Sequence, residues 1–173
     1  MEKIIKKLIN AISIFIDNEK FLLENELNER TITHKLAIYI EKEFSEYDVD
    51  CEYNKMIKWY SQEELITKKL KLPKKGISSD DLKATVVYPD IIIHKRWNND
   101  DNFLIIEVKK EDYANDDYND DMTYKKFDKI KIKAYMKDLN YQYWLYLEFN
   151  WTSYIWNFYY KEKVEILSIN LPL

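Results

Sequence analysis

The chain has 173 residues, of which 46% are hydrophobic and 34% charged, and its formal net charge is −4. This composition is typical of one soluble globular domain with its own core, here residues 1–173, and excludes a disordered chain. The acidic balance disfavours a general nucleic-acid coat protein, so any such contact must come from a local basic patch. A single cysteine and two histidines exclude an internal disulfide and a typical zinc site. We therefore expect a cytoplasmic protein, and no apolar run is long enough to predict a membrane partner.

Residues 1–24 predict an N-terminal helical extension. Apolar residues recur there at helical spacing between Lys and Asn side chains, and the pattern ends near residues 17–18. They are Ile4, Ile5, Leu8, Ile9, Ile12, Phe15 and Ile16. We expect this amphipathic helix to pack against the rest of the domain.

A second helix is predicted over residues 30–44, with Asn28 as its N-cap. Its apolar stripe consists of Ile32, Leu36, Ile40 and Phe44. Glu29 projects onto the same stripe, where a carboxylate needs a reason. Two interpretations stay open: first-turn placement that favours the helix dipole, or an acidic group directed into a functional site. His34 lies one residue beyond this face, and we expect it to be a satisfied structural histidine.

Residues 48–60 predict a strand, and residues 61–85 predict a basic insertion that begins with a short helix from Gln62 to about Leu70. Five lysines concentrate positive charge in the insertion: Lys68, Lys69, Lys71, Lys74 and Lys75. A solvated surface is the usual role of such a run. Beside a cleft, Lys74 and Lys75 would instead hold a phosphate backbone.

The central stretch, residues 88–109, contains two apolar runs that are each interrupted by a carboxylate. Asp90 lies in the first run, after Pro89, and Glu107 and Lys109 lie in the second. Because successive strand residues alternate faces, Glu107 and Lys109 share one face of the strand. The Asn- and Asp-rich residues 96–102 predict a hairpin loop, which brings Asp90 beside both of them.

Two carboxylates held close repel each other and favour a bound cation, and their hard oxygen ligands suit Mg²⁺ or Mn²⁺. A neighbouring lysine whose pKa is lowered by burial and positive charge orients a water and helps to deprotonate it. Together these groups form a phosphodiester hydrolysis site. The alternative is a hairpin in which Glu107 and Lys109 form a surface ion pair and Asp90 lies in a turn.

The remaining residues predict an acidic loop at 111–121, a helix at 122–139, strands at 141–149 and 153–160, and a short strand at 164–167. Four lysines form a basic stripe on the helix at i+4 spacing: Lys125, Lys129, Lys133 and Lys137. The stripe indicates either an anionic partner or a solvated face. Lys131 shares a different face with Asp128 and Tyr135. The aromatic strands are suited to core filling, to a homodimer interface or to base stacking.

Pro89-Asp90 followed by Glu107-Val108-Lys109 resembles the signature of the PD-(D/E)xK nuclease superfamily. The chain is similar to a group of small bacterial proteins built on that fold, over residues 28–37, 48–55, 88–96, 104–110 and 128–132. The order of the predicted elements gives an α/β (or α+β) fold with a mixed central sheet flanked by helices, which agrees with the nuclease-like fold that the resemblance implies. Its restriction-endonuclease-like core would have the order α-β-β-β-α-β.

The resemblance also implies the functional residues of a metal-dependent nuclease. Asp90 and Glu107 would ligate Mg²⁺ or Mn²⁺, with the backbone carbonyl of Val108 as a third ligand and Glu29 bound directly or through water. Lys109 would position and activate the attacking water. We expect a nucleic-acid partner, with DNA favoured over RNA, held by Lys131, Lys129, Lys133, Lys74 and Lys75. The alternative is a non-catalytic nucleic-acid or protein interaction module on the same fold.

Overall fold

The computed structural model describes residues 1–25, 27–57, 64–73, 82–110, 131, 134–149, 153–160, 163–168 and 171–172. Helix α1 comprises Glu2–Glu24 and helix α2 comprises Glu29–Glu43. The backbone of α1 is non-helical at Glu19 (φ −116°, ψ 24°), so the pattern predicted to end near residue 18 is followed by a further helical segment. Asn28 caps α2 as predicted, because its Oδ1 accepts a hydrogen bond from the Thr31 N–H at 2.9 Å.

The strands follow the two helices in chain order. They are β1 (Asp48–Cys51), β2 (Lys55–Ile57), β3 (Leu65–Thr67), β4 (Lys69–Pro73), β5 (Leu82–Val86), β6 (Ile91–His94), β7 (Leu104–Lys110), β8 (Tyr143–Phe149), β9 (Ser153–Tyr160), β10 (Lys163–Ser168) and β11 (Leu171–Pro172). A short 3₁₀ helix, Asn99–Asp101, lies between β6 and β7. Residue 131 and residues 134–138 are helical and lie between β7 and β8.

A mixed sheet forms the centre of the fold, in the order β1-β6-β7-β8-β9-β10, with β11 also paired to β9. Strands β7 and β8 are parallel, whereas the other pairs in this sheet are antiparallel. A parallel pair requires a crossover connection, and the helical residues 131 and 134–138 lie in it. The predicted α/β (or α+β) class with a mixed sheet and helices is therefore confirmed.

Side chains from the two faces of this sheet belong to two separate cores. Leu8, Phe15 and Leu36 of the helices pack with Ile91 and Ile106. Ala134, Tyr135, Met56 and Leu70 pack with Ile92 and Ile105. Successive strand residues point to opposite faces, so α1 and α2 cover one face and the third helical segment lies on the other.

The helix predicted from Gln62 to Leu70 is wrong where the structure describes it. Leu65–Thr67 and Lys69–Pro73 are strands β3 and β4, which pair with β2 and β5. Lys69 is exposed and Leu70 is buried, so this stretch follows the alternation of a strand. Lys68, predicted as part of a surface charge run, is buried between the two strands.

The predicted strand at 48–60 is interrupted after Cys51, where Glu52 has a positive φ of 49°. Asn140 also has a positive φ, 58°, just after helical residues 134–138. Asn tolerates this conformation, which glycine usually takes after a helix. The predicted helix over 122–139 is confirmed at residues 131 and 134–138. The acidic loop at 111–121 and residues 122–130 lie outside the described residues.

No helix within the described ranges is long and apolar enough to cross a membrane.

Candidate active site

The β6–β7 hairpin brings Asp90 and Glu107 together, as the sequence predicts. Ile91 pairs with Ile106 in antiparallel register, so the preceding Asp90 lies opposite the following Glu107. Directly opposed residues point to the same face of a sheet. The Val108 N–H donates a hydrogen bond of 2.8 Å to Asp90 Oδ2, which fixes the Asp90 carboxyl against β7.

Glu107 is a buried carboxylate, only 6% exposed. Its Oε2 accepts a hydrogen bond from Lys131 Nζ at 2.8 Å. Its Oε1 has no hydrogen-bond partner among the residues that the structure describes. Burial and then the charge of Glu107 raise the pKa of Tyr135, so the hydroxyl that faces this carboxylate stays protonated. Among the described residues neither Glu107 Oε1 nor the neighbouring Tyr135 hydroxyl makes a hydrogen bond of full geometry, and a cation at Oε1 would satisfy the carboxylate.

The carboxylates of Asp90 and Glu107 repel each other. Burial and then the neighbouring Glu107 charge raise the pKa of Asp90 to about 7. The hydrogen bond from Val108 and the charge of Lys109 oppose this shift without cancelling it. Strong perturbation by burial and by a specific neighbouring charge is characteristic of functional carboxylates.

Lys109 reaches from β7 to the first turn of α2, where its Nζ lies 3.0 Å from Glu29 Oε1. Burial lowers the pKa of Lys109, but the carboxylates of Glu29, Asp90 and Glu107 outweigh that effect and leave it raised. The expected lowering of this pKa concerns a lysine beside a bound metal and stays a prediction. Lys109 is a protonated hydrogen-bond donor here, and Glu29 belongs to the site through it.

A small open pocket of about 90 Å³ lies beside these carboxylates, at the start of α2 and the end of β1. It is lined by Glu29, Arg30, Thr33, His34, Cys51, Glu52 and Asp90. His34 is exposed, so the expectation of a satisfied structural histidine there is wrong. Burial raises the pKa of the Cys51 thiol to about 11, so this cysteine is an unreactive part of the wall.

The carboxylate ligands fit a hard divalent cation, although the set of ligands is small. Within the described residues, no group of three or more His, Cys, Asp or Glu side chains could hold a metal ion. Mg²⁺, however, commonly binds through one or two carboxylates and keeps several waters. Asp90 and Glu107 provide two, and the Glu107 oxygen without a partner is the position that a cation would fill.

Of the predicted nucleic-acid contacts, Lys131 lies in the site, paired with Glu107. Lys74, Lys75, Lys129 and Lys133 lie outside the described residues. Among the other lysines of the two basic segments, Lys137 is exposed and Lys68 is buried.

Sequence reasoning did not assign Arg30, Thr33 or Tyr135 to the site. A signal for Thr33 existed, because it shares the inward face of α2 with Glu29, and Tyr135 follows Lys131 by one helical turn. Arg30 has no comparable signal, since an exposed arginine in a first helical turn is ordinary.

Two ammonium groups lie within hydrogen-bond distance of Glu29 and Glu107, so the site combines carboxylate oxygens with positive charge. These are the elements of metal-assisted hydrolysis. Comparison with protein-family models, with curated proteins and with solved structures finds no match to this chain.

Proposed function

We propose that the protein is a nuclease that depends on Mg²⁺ or Mn²⁺ and hydrolyses phosphodiester bonds of nucleic acids. The observation that carries this proposal is the juxtaposition of Asp90 and Glu107, with one Glu107 oxygen unpartnered among the described residues. The sequence resemblance to the PD-(D/E)xK superfamily, which rests on the same residues, also supports it. The proposal includes a restriction-endonuclease-like core within the mixed sheet.

Asp90 and Glu107 would hold the metal, with the Val108 backbone carbonyl and Glu29 as the further ligands that the resemblance implies. When bound, a divalent cation in such a site polarises the phosphoryl oxygen and lowers the pKa of a bound water. Asp90 must be ionised to serve as a ligand. Burial and the Glu107 charge oppose that ionisation in the free protein.

The two lysines divide the remaining tasks. Lys109 lies close enough to Asp90 and Glu107 for their charges to raise its pKa. As a protonated donor it orients the attacking water. It becomes a base only when the charge of the surrounding carboxylates is neutralised. Lys131 holds Glu107 in position and adds positive charge near the developing phosphorane.

The nucleic-acid partner, DNA before RNA, would be held by Lys131 together with Lys129, Lys133, Lys74 and Lys75. The net charge of −4 means that this contact is local, because the protein as a whole repels a polyanion. A homodimer, a cytoplasmic location and a single domain over residues 1–173 stay predictions from the sequence.

A non-catalytic interaction module on the same fold is the second candidate. One observation favours it: Lys109 and Lys131 are each paired with a carboxylate, as in a site that is stable without metal. Such a module would bind nucleic acid or protein but would cut nothing, so catalysis separates the two candidates.

Titration calorimetry with Mn²⁺ and with Mg²⁺ tests the metal site in the wild type, Glu107→Gln and Asp90→Asn. We expect both substitutions to weaken Mn²⁺ binding at least tenfold, since each removes a charged ligand, and to abolish cleavage of mixed DNA and RNA substrates. Glu41→Gln is the matched control, because Glu41 is an exposed carboxylate on α2.

Metal-dependent cleavage that is lost in both site variants and retained in the control would establish the nuclease. Metal binding without cleavage of any substrate would favour the interaction module. Absence of metal binding in the wild type would contradict the enzyme proposal.

A further inference from the structure

The ammonium group of Lys131 neutralises the same carboxylate that the proposed cation would use. Lys131 Nζ donates a hydrogen bond of 2.8 Å to Glu107 Oε2, and the Glu107 side chain is buried. A buried carboxylate needs positive charge close to it, because the protein around it solvates a lone charge poorly. Lys131 therefore supplies positive charge at the position where a divalent cation would supply it.

The charges of the site change sign when a divalent cation is added. Glu29, Asp90 and Glu107 provide three carboxylates, and Lys109 and Lys131 provide two ammonium groups that pair with them. With all five groups ionised, one negative charge is in excess. A divalent cation turns this into an excess of one positive charge, which repels the cation. The balance returns when one ammonium group leaves its carboxylate and pairs with an added anion.

The pair of Lys131 with Glu107 opposes the cation more strongly than the pair of Lys109 with Glu29. Both side chains of the Lys109 pair are more than a third exposed, so solvent screens it. Glu107 is buried, and a buried pair is screened much less.

Lys131 is also able to leave Glu107. Its side chain is 22% exposed, and lysine carries its ammonium on a flexible four-carbon stem. The Nζ lies 5.6 Å from the centre of the Tyr135 ring, one helical turn further along, and this cation–π contact does not depend on Glu107. The ammonium can therefore turn from the carboxylate towards solvent while it stays beside the site.

We propose that Lys131 is a displaceable counter-ion of the metal site. It neutralises Glu107 before a divalent cation binds, and it moves to a backbone phosphate of the nucleic-acid strand when the cation binds Glu107. Lys131 thus weakens binding of the cation alone and couples it to binding of the strand. This inference rests on the proposed function, because it assigns the cation and the strand to one site.

Titration calorimetry with Mn²⁺, without nucleic acid, tests the counter-ion. At pH 8 the Asp90 carboxyl, whose pKa is about 7, is mostly ionised. We expect Lys131→Met to bind Mn²⁺ at least about tenfold more tightly than the wild type, since it removes a positive charge from a carboxylate ligand. Lys131→Arg keeps that charge and should bind Mn²⁺ no more tightly than the wild type. A lysine that only positioned Glu107 would give the opposite sign, because its loss would weaken Mn²⁺ binding.

Lys137→Met is the matched control, because Lys137 is an exposed lysine six residues further along the same helix. It should bind Mn²⁺ within about twofold of the wild type. Thermal melting monitors the fold: Lys131→Met should melt below the wild type in EDTA, where Glu107 loses its counter-ion, and Mn²⁺ should raise its melting temperature more than that of the wild type. Lys131→Gln keeps a hydrogen-bond donor without the charge, and should also tighten Mn²⁺ binding if the methionine variant does not fold.

Fluorescence anisotropy tests the move to phosphate, with a labelled DNA oligonucleotide whose phosphorothioate backbone resists hydrolysis. We expect Lys131→Met to weaken DNA binding at least about fivefold more in Mn²⁺ than in EDTA, because the wild-type ammonium contacts the strand only after it has left Glu107.

Mn²⁺ binding that is unchanged or weaker in Lys131→Met and Lys131→Gln would overturn the counter-ion, even if the wild type cuts nucleic acid. An equal gain in Lys137→Met would also overturn it, as would a loss of DNA affinity that is the same in EDTA and in Mn²⁺. Absence of Mn²⁺ binding in the wild type and in both variants would overturn it together with the nuclease. Selective tightening in the Lys131 variants, with no cleavage by the wild type, would keep the counter-ion and reject the nuclease.

Discussion

At the scale of single residues, Lys68 is the least expected side chain in the protein. It is 1% exposed, and its Nζ donates to Tyr141 OH at 3.0 Å and to the Tyr53 carbonyl at 3.4 Å. The Tyr53 and Tyr141 rings lie 5.0 and 5.5 Å from the ammonium, so cation–π attraction supports it. Burial lowers the pKa of Lys68 to about 7, and the more distant Asp50 only partly opposes this shift.

Lys68 therefore makes stability depend on pH in alkaline solution. The unfolded lysine stays protonated up to its usual pKa of 10.5, whereas the folded one loses its proton from about 7. Between these values the unfolded state binds more protons, so stability rises with pH. We expect Lys68→Met to abolish that rise and to be more stable than the wild type at pH 7 by roughly 1–3 kcal/mol.

Urea unfolding at pH 6, 7, 8 and 9 measures the effect, with Lys69→Met as the control, because Lys69 is exposed and adjacent. Equal pH slopes in the wild type and in Lys68→Met would contradict a buried, titrating ammonium. The burial of Lys68 could not be predicted from its lysine-rich surroundings. It depends on Tyr141, which lies 73 residues further along the chain.

At the scale of elements, a charged cluster joins β1 to β6. Asp50 Oδ2 lies 2.9 Å from His94 Nε2, and Arg96 contacts both Asp50 oxygens at 2.9 and 2.7 Å. Burial opposes ionisation of Asp50, but the hydrogen bonds from His94 and Arg96 hold its pKa well below the usual range. The cluster fastens the edge strand β1, from which Cys51 and Glu52 reach the pocket.

Asp50→Asn should destabilise the protein by about 1–3 kcal/mol, because the buried His94 and the Arg96 fork lose their anionic acceptor. Chemical denaturation at neutral pH measures this loss. Asp48→Asn is the control, since among the described residues the Asp48 carboxylate accepts one exposed hydrogen bond, from the Arg96 N–H. Equal losses in the two variants would show that charge on β1 matters more than this particular geometry.

Local sequence patterns were sufficient to predict some helices and strands and insufficient to predict others. The stripe of α2, its Asn28 cap and the β6–β7 hairpin were predictable, because period and turn chemistry act over a few residues. The error at residues 62–70 has a physical reason, because a short apolar run fits the helical period and the strand period equally well. Pairing with β2 and β5 makes these residues strands. The contact between Lys109 and Glu29 spans 80 residues and required the fold.

At the scale of the whole molecule, α1 belongs to the core and not to the periphery. Leu8, Ile12 and Phe15 are completely buried, and the Phe15 ring packs against Tyr39 and Phe149 at 6.0 and 5.7 Å between centroids. Phe149 ends β8, the strand parallel to β7, so the helix extension and the site strand share one core. Residues 1–24 therefore stabilise the sheet that positions Asp90 and Glu107.

Phe15→Ala should cost about 3–5 kcal/mol, through lost burial and the cavity that remains. Because both faces of the sheet share its strands, we expect one cooperative transition, with the same midpoint by far-UV circular dichroism and by tryptophan fluorescence. Buried Trp144 on the opposite face contributes to that fluorescence. Phe21→Ala removes the same ring from an α1 position that is 68% exposed, and should change stability by less than about 1 kcal/mol. Fluorescence and dichroism midpoints that separate in Phe15→Ala would mean that α1 unfolds by itself, and the site strands would then not depend on it.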